Sequence, residues 1–253
     1  MPLLSSMISG QILTSLAMLY LMLGAASVGV GLRTRQRPQS RLRAQVYAWW
    51  WIFPVVTLSL ALHPLGAGLL ALLIAALALR ELLPLGRRAP LLVWPLWALL
   101  CISVSFLPLY ERLPLPPAQR FGWLFYLYVL TALNDVAQFI SGSLFGRHRI
   151  APGISPNKTW QGLAGGVGVT LLLSLALGGY LGLAPASGLA LLAVLLSLGG
   201  FGGDLLFSAA KRKLGVKDFS TLIPGHGGIL DRVDSLVVTA PLLYLFLRMM
   251  HES

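Results

Sequence analysis

The chain is 253 residues long, 57% hydrophobic and only 11% charged, yet its formal net charge is +11. A soluble domain of this size would hold about 25% charged residues, so the composition excludes a water-soluble globular protein and implies an all-α, polytopic integral membrane protein. The lone Cys101 rules out an intramolecular disulfide and a cysteine-based metal site. Nucleic acid is not an expected partner, because the positive charge is divided among several loops.

Eight apolar runs are long enough to be spans: 7–31, 46–62, 64–80, 90–109, 121–145, 161–181, 187–210 and 235–250. The first ends in a stretch like a cleavage site, Gly24-Ala25-Ala26-Ser27, but its earliest basic residue is Arg33, behind it. A signal peptide carries positive charge in front, so the run reads as a retained span with its N-terminus outside. On that assumption sixteen of the nineteen Lys and Arg fall on inside loops, and only Arg112, Arg120 and Arg248 fall outside. This positive-inside bias supports an even count, with both termini on the non-cytoplasmic side. The two shortest spans, 46–62 and 64–80, could instead form a re-entrant pair without changing the parity.

The front half, 1–120, reads as variable transmembrane helices. Trp49, Trp50 and Trp51 suit a membrane interface, and Cys101 reads as a small buried hydrophobe. Glu81 and Glu111 are assigned to loops. The five aspartates, Asp135, Asp204, Asp218, Asp231 and Asp234, all lie in the back half. Asp135 and Asp204 fall inside apolar spans, where an ionised carboxylate costs at least about 2.5–3.5 kcal/mol. Asp204 lies about 10 Å deeper than Lys211, with Ser208 one turn on. Asp231 and Asp234 share a helix face at a spacing of three. Convergence of Asp204, Asp231 and Asp234 at the inner membrane surface is therefore expected. Grouped carboxylates repel one another unless a cation sits between them, and an all-oxygen set suits Mg²⁺.

The intervening loop supplies the opposite charge. Lys211, Arg212, Lys213, Lys217 and Arg232 surround Pro224-Gly225-His226-Gly227-Gly228, where glycines let backbone N–H groups approach an anion. A metal site, phosphate-binding cations and close backbone approach are the parts phosphoryl-type transfer uses. A second inside loop, Ser155-Pro156-Asn157-Lys158-Thr159-Trp160, reads as a Pro-fixed turn whose Lys158 and Thr159 reach phosphate; a plain capping loop fits the same residues. Before it, Asn134, Asp135, Gln138 and Ser141 form a polar stripe.

Ser208-Ala209-Ala210-Lys211-Arg212, then Lys217-Asp218, then Leu222-Ile223-Pro224-Gly225-His226-Gly227-Gly228-Ile229-Leu230-Asp231-Arg232-Val233-Asp234 resembles the signature of CDP-diacylglycerol synthases, the phosphatidate cytidylyltransferases. Ser155 to Trp160 is similar to that family's Ser-Pro-x-Lys-Thr-Trp motif, and Asn134-Asp135 to the Asp-bearing motif before it. The resemblance covers about 121–253, a catalytic transmembrane unit with a cytoplasmic-facing site. It departs from the pattern at Ala210, usually a larger aliphatic, and at Phe207 and Gln161, where glutamate is common.

The resemblance implies a magnesium-dependent nucleotidyltransferase of phospholipid biosynthesis, in a bacterial inner membrane. Its reaction converts CTP and phosphatidate to CDP-diacylglycerol and pyrophosphate. Asp204, Asp231 and Asp234 then hold Mg²⁺, with a second cation such as K⁺ left open. Lys211, Arg212, Lys217, Asp218, His226 and Arg232 form the catalytic set. Asn134, Asp135, Ser155, Lys158, Thr159, Ser208, Gly227 and Gly228 bind substrate. Expected partners are CTP, phosphatidate or a related lipid phosphate, and membrane lipids, with a homodimer left open. The alternatives are a CTP-dependent lipid or polyprenol kinase, a non-catalytic lipid-binding relative, and a transporter using Asp135 and Asp204.

Overall fold

The computed structural model describes residues 10–35, 41–223 and 227–252. In hydrocarbon every backbone amide must be satisfied within its own segment, so long apolar runs become helices. They are α1 (Gly10–Arg33), α2 (Arg41–Ala61), α3 (Leu65–Gly86), α4 (Pro90–Tyr110), α5 (Pro117–Phe145), α6 (Trp160–Tyr180), α7 (Ala186–Lys213), a short α8 (Leu230–Val233) and α9 (Leu236–Glu252). Among the described residues eight helices are long and apolar enough to cross a membrane, the last running Leu230–His251 through α8 and α9. The all-α reading and the count of eight both hold. At 21 and 22 residues, α2 and α3 are each of full spanning length, not halves of a re-entrant pair.

Several details differ from the sequence reading. α5 starts at Pro117, four residues before the expected span, because proline suits the first helical turn. α7 continues to Lys213, with Lys211, Arg212 and Lys213 in its last turn, where cations complement the exposed carbonyls. The expected turn at Pro156 is a strand: β1 (Arg149–Ala151) pairs antiparallel with β2 (Ser155–Thr159), with Arg149 opposite Thr159 and Ala151 opposite Ser155. Cys101 is exposed on α4, facing outward from the bundle. Glu81, assigned to a loop, lies in α3 and is only 7% exposed.

The apolar interior has two parts. One gathers Tyr110, Leu113, Phe121, Trp123, Tyr126, Leu189, Leu192 and Leu247. The other gathers Ala78, Leu82, Val93, Phe207, Ala210, Phe219, Leu230 and Val237. Chain alternation puts them toward opposite ends of the bundle. Phe219 belongs to the second, so the long connection after α7 is fastened to the core. α7 and the last span cross closely at Gly203, where a Cβ would fall 2.5 Å from the Asp234 carbonyl. Small residues allow such backbone approach in membranes, and this crossing brings Asp204 beside Asp234.

Candidate active site

Three elements deliver acidic side chains to one place. Asp135 on α5, Asp204 on α7 and Asp234 at the start of the last span lie within electrostatic reach of one another. Each has a local partner. Ser235 donates its hydroxyl to Asp135 Oδ1 at 3.2 Å, Ser208 donates to Asp204 Oδ1 at 3.1 Å, and the Ser235 amide donates to Asp234 Oδ1 at 2.9 Å. Lys158 reaches in from β2. Its Nζ is 2.7 Å from Asp204 Oδ2, donates to the Phe201 carbonyl at 3.4 Å and stands 4.4 Å from the Phe201 ring centre. The Asp204–Ser208 relation follows the helical spacing read from the sequence.

Asp231 does not join this group. Lys211 Nζ donates to its Oδ1 at 2.6 Å, and the amides of Phe219 and Gly228 donate to its Oδ2 at 3.0 and 2.8 Å. The two side chains are 9% and 2% exposed, a buried and fully bonded pair. The expected convergence of Asp204, Asp231 and Asp234 therefore needs correction. The backbone is helical from Ile229 through Asp234 (φ −54°, ψ −43° at Asp234), so the spacing of three does start both carboxylates from one face. Their partners separate them. Asp231 turns toward Lys211, and Asp234 toward Asp135 and Asp204. Among the described residues no three His, Cys, Asp or Glu side chains stand close enough together to hold a metal.

The loop after α7 is shaped around Asp231. Gly227 has φ +85°, and a Cβ there would lie 2.7 Å from Asp231 Oδ2 and 3.1 Å from Asp218 Cβ. Glycine is required on both counts. Asp218 is half-buried at this point, while Lys217 and Arg232 are exposed. His226 lies outside the described residues. Arg212 is spent partly on structure: its Nε donates to the Ile154 carbonyl at 3.0 Å, tying α7 to the hairpin.

Other expected contacts fall elsewhere. Asn134 is 1% exposed, and its Oδ1 accepts from Gln138, Thr170 and Ser197 at 3.2, 3.0 and 2.6 Å. Its Oδ1 thus joins α5, α6 and α7 inside the bundle, while its buried Nδ2 has no hydrogen-bond partner among the described residues. Thr159 caps α6, its hydroxyl accepting from the Gly162 amide at 3.1 Å. Ser155 pairs with Ala151 in the hairpin. Asp135 keeps an accessible side chain.

The three departures from the motif pattern have structural roles. Phe207 is fully buried and meets Phe219 edge-on, with ring centres 6.2 Å apart; Ala210 is in the same core. Gln161 accepts from the amides of Arg147 and His148 at 3.1 and 3.2 Å and donates to His148 Nδ1 at 2.9 Å. Sequence reasoning missed Ser235, although it adjoins Asp234, and Glu81. Glu81 Oε1 accepts from Ser220 Oγ at 2.7 Å and the Ile229 amide at 2.8 Å, and Oε2 from the Leu230 amide at 3.2 Å. Its one signal was an acid close to the end of an apolar run.

Fold and site together define a polytopic helical membrane protein with carboxylates, lysines and a glycine-bearing loop gathered at one end of the bundle. The model of the cytidylyltransferase family matches residues 93–250, and the chain belongs to that family. It is 41% identical over 130 residues to a phosphatidate cytidylyltransferase of Brucella suis, covering 51% of this chain and 48% of the relative. It is 37% identical over 147 residues to one of Staphylococcus saprophyticus, covering 58% and 55%. It is also 48% identical over 125 residues to the uncharacterized protein YnbB of Escherichia coli, covering 49% and 41%. The chain thus spans about half the length of the curated relatives it matches.

Proposed function

We propose that the protein is a phosphatidate cytidylyltransferase. A phosphate oxygen of phosphatidate bonds to the α-phosphorus of CTP; the bond from that phosphorus to the α–β bridging oxygen breaks, and pyrophosphate leaves with the electron pair. The products are CDP-diacylglycerol and pyrophosphate. The observation that carries this reading is the placing of Asp204, paired with Lys158, near Asp135 and Asp234, beside the end of α7 that carries Lys211 and the loop that carries Lys217.

The donor set fits Mg²⁺. Its ligands are all oxygens, mutually repelling and partly relieved at Asp204 by Lys158. Mg²⁺ is usually held by one or two carboxylates plus substrate phosphates, not by an all-protein cage. Asp204 and Asp234 would hold it together with substrate phosphates, where it supplies charge neutralisation for the triphosphate. Asp231 instead holds Lys211 and the loop in place. A second cation such as K⁺ belongs to the same proposal.

The chain's own groups do the rest. Lys158 moves between Asp204 and phosphate oxygens. Lys217 and Arg232, both exposed, with His226, offset charge that grows on the leaving pyrophosphate. Ser208 and Ser235 orient Asp204 and Asp135. No covalent nucleophile is needed, because alignment and electrostatics can supply most of the acceleration. In this reading residues 121–253 perform the chemistry, the site faces the cytoplasm where CTP arrives, and both termini lie across a bacterial inner membrane. The acyl chains stay in the bilayer; a homodimer is compatible with this arrangement.

The test incubates purified protein in detergent with phosphatidate, Mg²⁺ and CTP labelled in turn at the α- and γ-phosphates. The expected result is α-label in lipid and γ-label in pyrophosphate. γ-Label in lipid would instead establish a kinase, and label in neither would leave a lipid-binding relative.

A further inference from the structure

Glu81 comes from the front half of the chain, outside the segment that matches the family. It is buried, and among the described residues no Lys or Arg pairs with it. A carboxylate placed this way in an apolar bundle is costly unless its oxygens are well bonded. Its oxygens are taken by Ser220 Oγ and by the amides of Ile229 and Leu230. Those groups stand at the two sides of the loop, one just after Phe219 and the others just after Gly228. A Cβ at Gly228 would fall 2.5 Å from Glu81 Oε2, so the fit between backbone and carboxylate is close.

Asp231 completes the pattern from the other side. It accepts from the amide of Phe219 and the amide of Gly228, the neighbours of the groups that Glu81 takes. Two carboxylates, one from α3 and one from α8, therefore clasp the entry and exit of the same loop. Asp231 is balanced by Lys211; Glu81 is held by hydrogen bonds alone. Uncharged donors that bond a buried carboxylate fix its position and are fixed by it.

We infer that Glu81 is a positioning residue: it locks the closing end of the loop onto α3, so that the front helices form part of the frame that aims the loop's phosphate-binding groups. This rests on the cytidylyltransferase reading for its kinetic consequence, but not for its structural one. The loop groups it would aim are Lys217, Asp218, Gly227, Gly228 and Arg232.

The test uses the full chain in detergent micelles, comparing wild type with Glu81→Gln and Ser220→Ala. Amide hydrogen exchange is followed by mass spectrometry, and kcat and KM for CTP are measured alongside. In Glu81→Gln, exchange at Ile229 and Leu230 is expected to accelerate by about tenfold or more, while α7 keeps wild-type protection. kcat is expected to fall about tenfold, with KM for CTP changed less than about threefold. Ser220→Ala, which removes one donor, gives a smaller change of the same pattern and serves if Glu81→Gln does not fold. Unchanged exchange at 229–230 overturns the inference. So does faster exchange spread equally over α7, or faster loop exchange with kcat unaltered. If wild type makes no liponucleotide, the proposed reaction falls, and the exchange comparison still decides the anchor.

Discussion

At the end of the bundle where α4 gives way to α5, Glu111 is matched by His63 Nε2 at 2.7 Å and by Arg120 at 3.6 Å. Arg120 also donates to the Leu113 carbonyl, and the Tyr110 hydroxyl donates to the Arg120 carbonyl at 2.5 Å. These bonds tie the α4–α5 connection to the turn between α2 and α3 as a plug. The opposite end holds Glu81, Asp135, Asp204, Asp231 and Asp234. Lys158 and Lys211 each make an ion pair there, with Asp204 and Asp231. Asp135 and Asp234 rely on Ser235. A structural cluster can satisfy its charges internally, whereas acids left in mutual repulsion mark a place where positive charge is to be supplied.

Substitutions at the two ends should separate these roles. The largest expected effect is at Asp234. Asp234→Asn should lower liponucleotide formation by about a thousandfold while the protein still inserts and purifies as a folded species. Turnover near wild type in a radiolabelled CTP assay would dissolve the contrast between the ends. Next comes Lys158→Gln, which strips Asp204 of its cation. A loss of about ten- to a hundredfold in kcat/KM, mostly through KM for CTP, is expected from steady-state kinetics.

The buried pair gives a sharper case. Lys211→Met should leave Asp231 buried and uncompensated, a cost of about 3–5 kcal/mol, visible as a lower unfolding temperature in detergent. Lys211→Met combined with Asp231→Leu should recover part of that stability without recovering activity; if activity returned too, the pair would be scaffolding only. The smallest effect belongs to the plug. Glu111→Gln should cost about 1 kcal/mol of stability through its weakened contacts with His63 and Arg120, and leave liponucleotide formation unchanged. A large loss of turnover there would show that the two ends are not independent.

Much of this was readable along the chain. Eight spans follow from apolar runs that need internal hydrogen bonding, and the Asp204–Ser208 contact follows from one helical turn. Lys158 was recognised as a site residue, but its partner was not, since Lys158 and Asp204 are far apart in sequence and meet only when the hairpin folds against α7. Asp231 and Asp234 start from one helix face, as their spacing requires, but Lys211 and the amides of Phe219 and Gly228, distant in sequence, take Asp231 for themselves. Asn134 was read as a substrate-binding residue on a polar stripe, and its Oδ1 is taken inside the bundle by donors from α6 and α7. Glu81 was invisible as a site residue because nothing within its own run marks which backbone amides will arrive across the bundle.

Residue order alone therefore determined the all-helical fold, the number of helices long and apolar enough to cross a membrane and the segments rich in chemistry, because hydropathy, helical period and glycine content act over a few neighbouring residues. The tertiary structure decided which carboxylate meets which cation. It turned Asp231 to Lys211, drew Asp135 toward Asp204 and Asp234, and carried Glu81 from α3 to the amides of Ile229 and Leu230. Those pairings depend on close helix crossings such as Gly203 against Asp234, where a single side chain more would hold the backbones apart.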